Sequence, residues 1–281
     1  MKARTFVRSF ANLTCPVPID LYVETIGAGL HYEAGLPNNE SGHSLHIKGK
    51  WHIIVNKKHL EERQRFTICH ELGHIYLDLP SEHIGTSDSQ HYTRRPKNEV
   101  FCDVFASEIL LPSDQFKPLV NGADMGFDTV IALGKDFQAS ITATGSRFAA
   151  LNDTPCTFIL SEHGIVRYAT RSLSLREMGA WIPIGYRVPP SSLAAQGAQL
   201  IQDGPRIVDP TEWFEDWTRG GTLYEESRYL SEWDRMLSLL WFKEDYLPSK
   251  GGAANEEDED SDPYCRELDG SLLWPDRTKK W

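Results

Sequence analysis

The chain has 281 residues, 40% of them hydrophobic and 25% charged, and a formal net charge of −11. These are ordinary globular values, with enough apolar residues for two modest cores and too many for a disordered chain. The acidic balance lacks the basic footprint of a nucleic-acid binder, and no stretch of 18 or more apolar residues exists to span a membrane.

Residues 1–8 lack the continuous apolar core and cleavage site of a secretory signal. Cys15, Cys69, Cys102, Cys156 and Cys265 are scattered and form no C-x-x-C pair. That pattern suits a reducing cytosol, not a disulfide scaffold or a cysteine zinc site. A soluble, cytoplasmic protein is expected.

Residues 45–48 and 51–55 read as two strands across a glycine-containing turn. A strand in this place is expected at the rim of a cleft, offering main-chain groups to an extended substrate. Residues 57–79 then read as a helix. Phe66, Cys69, Leu72, Ile75, Tyr76 and Leu79 recur at three- and four-residue steps, with Asn56 as the expected N-cap and Pro80 as the stop. Another face carries Arg63, Thr67, His70, His74 and Leu77. Gly73, in the interior, costs about 1 kcal/mol relative to alanine, so another group is expected to come close to the backbone there.

At the centre of that helix stands His70-Glu71-Leu72-Gly73-His74. Residues four apart share a helix face, so both imidazoles can be directed at one metal ion. The Glu71 carboxylate lies beside them, placed to take a proton from a water on that ion. The alternative is two solvent-facing histidines on an amphipathic helix, which leaves Gly73 unexplained. Residues 81–96 follow as a polar stretch, a candidate lid with His83, His91, Tyr92, Arg94 and Arg95. Any of these could supply the donor that steadies an oxyanion.

Residues 97–110 read as a second helix, with Val100, Phe101, Val104, Phe105, Ile109 and Leu110 as its apolar stripe. Glu99 and Asp103, four apart, project together from it. Catalytic zinc takes three protein ligands and leaves one position open for water, and Glu99 is the expected third ligand. Asp103 is expected to accept the outward N–H of a ligating histidine, His70, fixing its tautomer. Cys69 and Cys102 flank these positions and are read as packing, the commoner role of buried thiols.

Residues 128–151 divide into helices at 129–136 and 141–151 around 137–139, with Ser140 capping the second. This has the look of a helix-turn-helix. Its second helix offers only Arg147 as a fixed positive charge, too little for the phosphate contacts of a DNA reader, so a structural or substrate-docking unit is expected. Beyond it, 157–160 and 165–168 flank Ser161-Glu162-His163-Gly164 as a hairpin, and 223–230 and 236–242 read as further strands. Glu256, Glu257, Asp258, Glu259, Asp260 and Asp262 make an acidic run after a small-residue stretch, read as a solvated linker. Residues 264–281, with Leu272, Leu273 and Trp274, read as a short segment able to dock back.

The run Ile53-Ile54-Val55-Asn56, then Arg65 through His74, then Asn98-Glu99 through Phe105-Ala106 and Leu110-Leu111-Pro112, resembles the ImmA/IrrE metallopeptidases. The resemblance covers residues 44–151. It implies an intracellular zinc-dependent peptidase of the gluzincin type that cleaves helix-turn-helix repressors and so induces the genes they silence. It also implies His70, His74 and Glu99 as metal ligands and Glu71 as the catalytic base. Cys69 stands where that family commonly has alanine, and Asp103 where asparagine is common; an aspartate can still orient a ligand histidine.

The expected fold class is α+β. A zincin-like metallopeptidase domain is expected over 1–126 and a helix-turn-helix-like helical unit over 127–152. A smaller mixed α+β accessory domain, its sensor-like role left open, follows over 153–248, and an acidic flexible linker and tail over 249–281. The expected function is zinc-dependent endopeptidase, with a metal-activated water, Glu71 as general base and a helix-turn-helix repressor as protein substrate; manganese is the alternative ion. Two other readings stay open: a metal-stabilised, non-catalytic DNA-binding regulator, and a metallopeptidase acting on an antitoxin-like protein. Glu71 weighs against the first, since a structural site normally fills four positions with protein ligands and needs no adjacent base.

Overall fold

The computed structural model describes residues 2–10, 13–81, 96–200, 204–231, 233–243 and 247–248. The side chains named for a lid, His83, His91, Tyr92, Arg94 and Arg95, lie outside the described residues, as do the acidic run and the tail. The chain forms two compact units. The first takes in the described residues of Met1–Gln115 and Leu133–Ser140, the second those of Phe116–Ala132 and Ile141–Cys265.

In the first unit, α1 (Lys2–Arg8) and α2 (Ile19–Ile26) precede a three-stranded sheet. Its centre is β3 (Lys50–Asn56), with β1 (Gly29–Glu33) parallel on one side and β2 (Gly42–Ile47) antiparallel on the other. Ile47 pairs with Lys50, so the turn is Lys48-Gly49, one residue earlier than the sequence suggests. Both residues have positive φ, 49° and 80°, the backbone a two-residue hairpin requires. Ile53 and Val55 of β3 are fully buried.

α3 (Glu61–Leu77) starts four residues later than expected. Asn56 does not cap it. Its amide donates to the carbonyls of Pro37 and Glu40 (2.9 and 2.8 Å) and its oxygen accepts from the Lys58 N–H (3.0 Å), so the side chain ties down a loop instead. Glu61 and Glu62 in the first turn complement the helix dipole. The helix ends at Leu77, two residues early, because Asp78 takes a left-handed conformation (φ 56°, ψ 48°).

α4 (Lys97–Leu110) has the expected bounds and lies against α3. A Cβ at Gly73 would meet Cys102 Cα at 3.1 Å and its carbonyl oxygen at 3.3 Å, so the backbone of α4 is the close neighbour that the glycine admits. Behind this pair, the Phe6 ring lies 5.4, 4.8 and 5.7 Å from those of Tyr22, Tyr76 and Phe105, joining α1, α2, α3 and α4 in one aromatic cluster.

α5 (Ser113–Asn121) and α6 (Phe127–Phe137) follow, their residues divided between the two units. The second unit has α7 (Ile141–Leu151) and five antiparallel strands in the order β5-β4-β8-β7-β6. These are β4 (Cys156–Glu162), β5 (Ile165–Arg171), β6 (Arg206–Val208), β7 (Leu223–Leu230) and β8 (Arg235–Phe242). α7 packs through Gly145, where a Cβ would collide with the Phe158 ring. Ile159 points to the opposite face. There it joins Leu240, Phe242, Trp213 and Phe214 in a core covered by α8 (Leu173–Glu177), a 3-10 turn at Ala194–Gln199 and α9 (Pro210–Trp213). The buried Glu225 carboxylate accepts from the Ala194 N–H, Trp213 Nε1 and Ser227 Oγ, tying those covering segments to β7. Among the described residues no helix is long and apolar enough to cross a membrane.

Candidate metal centre

Two helices, each with a pair of polar residues four apart, face one another. α3 supplies His70 and His74, and α4 supplies Glu99 and Asp103. The i, i+4 spacing stacks each pair along one helix face. His70 falls between the two carboxylates: Nδ1 is 2.8 Å from Asp103 Oδ1 and Nε2 is 3.1 Å from Glu99 Oε2. His74 Nε2 is 3.1 Å from His70 Nε2 and 3.5 Å from Glu99 Oε1. Its Nδ1 is 3.2 Å from the carbonyl oxygen of Leu79. All four residues, and Glu71, are buried, none more than 6% exposed.

A carboxylate and a carbonyl oxygen only accept, so Nδ1 of each ring is placed to donate outward and Nε2 of each faces inward. In a ring protonated at Nδ1 alone, the Nε2 lone pair points into the site. Two such lone pairs and a carboxylate, at 3.1–3.5 Å from one another, repel unless a cation lies among them. In a tetrahedral zinc shell with bonds of about 2.0–2.1 Å, neighbouring ligand atoms are roughly 3.3 Å apart. His70 Nε2 and His74 Nε2 are 3.1 Å apart, and each lies 3.1 or 3.5 Å from one or the other oxygen of Glu99. Two imidazoles and a carboxylate are also a donor set suited to zinc. The residues present therefore fit a divalent ion. Among the described residues, His70, His74 and Glu99 form the one group of three such side chains whose ligand atoms lie within 4.8 Å of each other.

A proton is the other cation this cluster attracts. Burial disfavours a charged His70. Its hydrogen bonds to Asp103 and Glu99, with the charges of Asp103 and Glu71, outweigh that and push its pKa up to about 10.

The remaining side chains singled out in the sequence sort by position. Arg63 hydrogen-bonds Ser41 Oγ (2.8 Å), and the Thr67 hydroxyl donates to the Arg63 carbonyl. Leu77, expected on the metal face, is a 2% exposed core residue, while Tyr76 is 37% exposed and joins the aromatic cluster. Cys69 and Cys102 are fully buried, and burial pushes the Cys69 thiol up to about 12, which suits packing rather than reactivity. The contact that sequence reading missed is the Leu79 carbonyl. A main-chain group has no letter in the sequence; the only signal is Pro80, which restricts the residue before it.

Residues 23–148 match the family described as the IrrE N-terminal-like domain. The chain is 27% identical over 109 residues to the radiation response metalloprotease IrrE of Deinococcus radiodurans, a match covering 38% of this chain and 33% of that protein. The similarity thus spans about a third of the relative's length. A solved structure titled Mycobacterium tuberculosis transcriptional regulator superposes with a TM-score of 0.53 over 86% of this chain and 75% of that one, at 12% identity, a likeness of fold.

Proposed function

Because residues 23–148 belong to the ImmA/IrrE family of metallopeptidases, we propose that the chain is a zinc-dependent endopeptidase in which His70, His74 and Glu99 hold the ion and Glu71 is the general base. The observation that carries this reading is the convergence of two inward Nε2 lone pairs and the Glu99 carboxylate in a buried site, each imidazole anchored from behind through Nδ1. A divalent ion held there supplies Lewis acidity toward a peptide carbonyl and brings the pKa of a water toward neutrality. Glu71, 1% exposed and next to His70, takes the proton and returns it to the departing amine. Asp103 keeps His70 in its ligand tautomer. The same donors accept manganese.

β2 is an edge strand of its sheet, and Leu45 to Ile47 are exposed along it. Its first residues lie against α3 one turn before His70, where a Cβ at Gly42 would strike Thr67 Cγ2. This strand is read as the rim along which an extended peptide pairs. A helix-turn-helix repressor as the substrate, and gene induction as the outcome, follow from the family resemblance. A cytoplasmic location fits the free thiols of Cys15, Cys69, Cys102 and Cys156. Against the DNA-binding regulator stands α7: Thr144 to Leu151 are buried, and Arg147, the one charge it could offer to phosphate, is 0% exposed.

The test is hydrolysis of helix-turn-helix repressors from the same source by the zinc-loaded protein, read by mass spectrometry. Glu71→Gln should keep its metal and lose at least 10²-fold in rate, the usual contribution of a general base. A Glu71→Gln protein that cleaves at the wild-type rate would remove the mechanism.

A further inference from the structure

The two histidines of the site are anchored by different means. His70 leans on the Asp103 side chain, whereas His74 is held by the main chain just beyond its own helix. The Leu79 N–H donates to the His74 carbonyl (3.0 Å), and the Leu79 carbonyl accepts from His74 Nδ1 (3.2 Å). The two residues thus close a ring through a backbone bond and a side-chain bond. Closing it requires the chain to reverse at the end of α3, and Asp78 provides the reversal with φ 56° and ψ 48°. Aspartate and asparagine visit this left-handed region more readily than other residues with a Cβ, and β-branched residues scarcely do. Pro80 then confines Leu79 to extended backbone, limiting where its carbonyl can point.

We propose that the Asp78-Leu79-Pro80 turn is a positioning device for His74, holding the ring in the Nδ1–H tautomer so that Nε2 faces His70 and Glu99. The inference rests on reading those residues as a metal site. Asp78 acts by backbone conformation alone; its carboxylate is not required. Outer partners of ligand histidines typically contribute 10–100-fold to metal affinity, and this turn is expected to do the same.

The test pairs the 15N NMR signature of the His74 ring with competitive zinc titration on the full chain. In the metal-free wild type, the neutral His74 ring should carry its hydrogen on Nδ1 and not on Nε2. Asp78→Gly, which keeps the left-handed turn, should retain that signature and bind zinc within about threefold of wild type. Asp78→Val should lose the signature and weaken zinc binding about 10–100-fold. A neutral His74 ring with its hydrogen on Nε2 in the wild type would overturn the proposal, as would equal weakening by glycine and valine, or wild-type affinity in the valine variant. If Asp78→Val fails to fold, the wild-type tautomer and the glycine variant still decide. A wild type that binds no zinc but shows Nδ1–H on His74 removes the metal reading and leaves the His74–Leu79 contact standing.

Discussion

At His70 a metal ion and a proton compete for one lone pair. The pKa is raised to about 10, so near neutral pH the metal-free protein holds the proton, and zinc must displace it. Zinc binding at pH 7 should therefore release about one proton, and affinity should fall about tenfold for each unit of acidification. Raising the pH works the other way until His70 gives up its proton unaided. Calorimetry in buffers of different ionisation enthalpy measures the release; a buffer-independent heat would contradict it. Asp103→Asn removes the charge that favours the imidazolium while its carboxamide oxygen can still accept from Nδ1–H, so proton release should drop. The side chains that converge here were legible because α-helical spacing alone puts His70 with His74 and Glu99 with Asp103. The Leu79 carbonyl was not, since it is contributed by a turn that depends on the φ of Asp78.

Among the elements, the α3–α4 pair positions every side chain of the site, and Gly73 sets how closely the two helices approach. Alanine at this position would gain about 1 kcal/mol in helix propensity. Its Cβ, however, would press on backbone atoms of Cys102 at 3.1–3.3 Å, which cannot swing aside. Overpacking of this kind costs about 1–3 kcal/mol, so Gly73→Ala should be destabilising on balance, by about 1 kcal/mol, in urea unfolding. A gain in stability would mean that the helices tolerate a wider spacing. Gly145→Ala, facing the Phe158 ring, should lose more, because that ring lies in a packed core. α4 and α7 have their expected bounds. α3 does not, because Asn56 spends its hydrogen bonds on residues 37–40, a distant preference that no local pattern encodes. α1 and α2 were unread; they are short, and the Phe6–Tyr22 contact joins them.

For the molecule as a whole, the division into two units predicts a local response to the metal. The centre lies wholly within the first unit, and a ligand that binds only the folded state stabilises it by about 2.7 kcal/mol at a hundredfold excess over Kd. Zinc should slow amide hydrogen exchange in α3, α4 and the β1–β3 sheet and leave the five-stranded sheet unchanged. Equal protection of β4 and β8 would mean that the units unfold together. The strands of the second unit were readable where they are long and rich in apolar and aromatic residues, as in β7 and β8. The three-residue β6 and the short α8 and α9 carry too few residues for any period to emerge.

The central claim is that His70, His74 and Glu99 hold a catalytic-type metal ion, and elemental analysis of the purified protein beside Glu99→Ala and Glu71→Gln tests it most directly. About one zinc per chain, lost in Glu99→Ala and kept in Glu71→Gln, is the expected result. A wild-type protein that takes up no zinc or manganese when either is supplied, or a Glu99→Ala variant that retains its full complement, would contradict it.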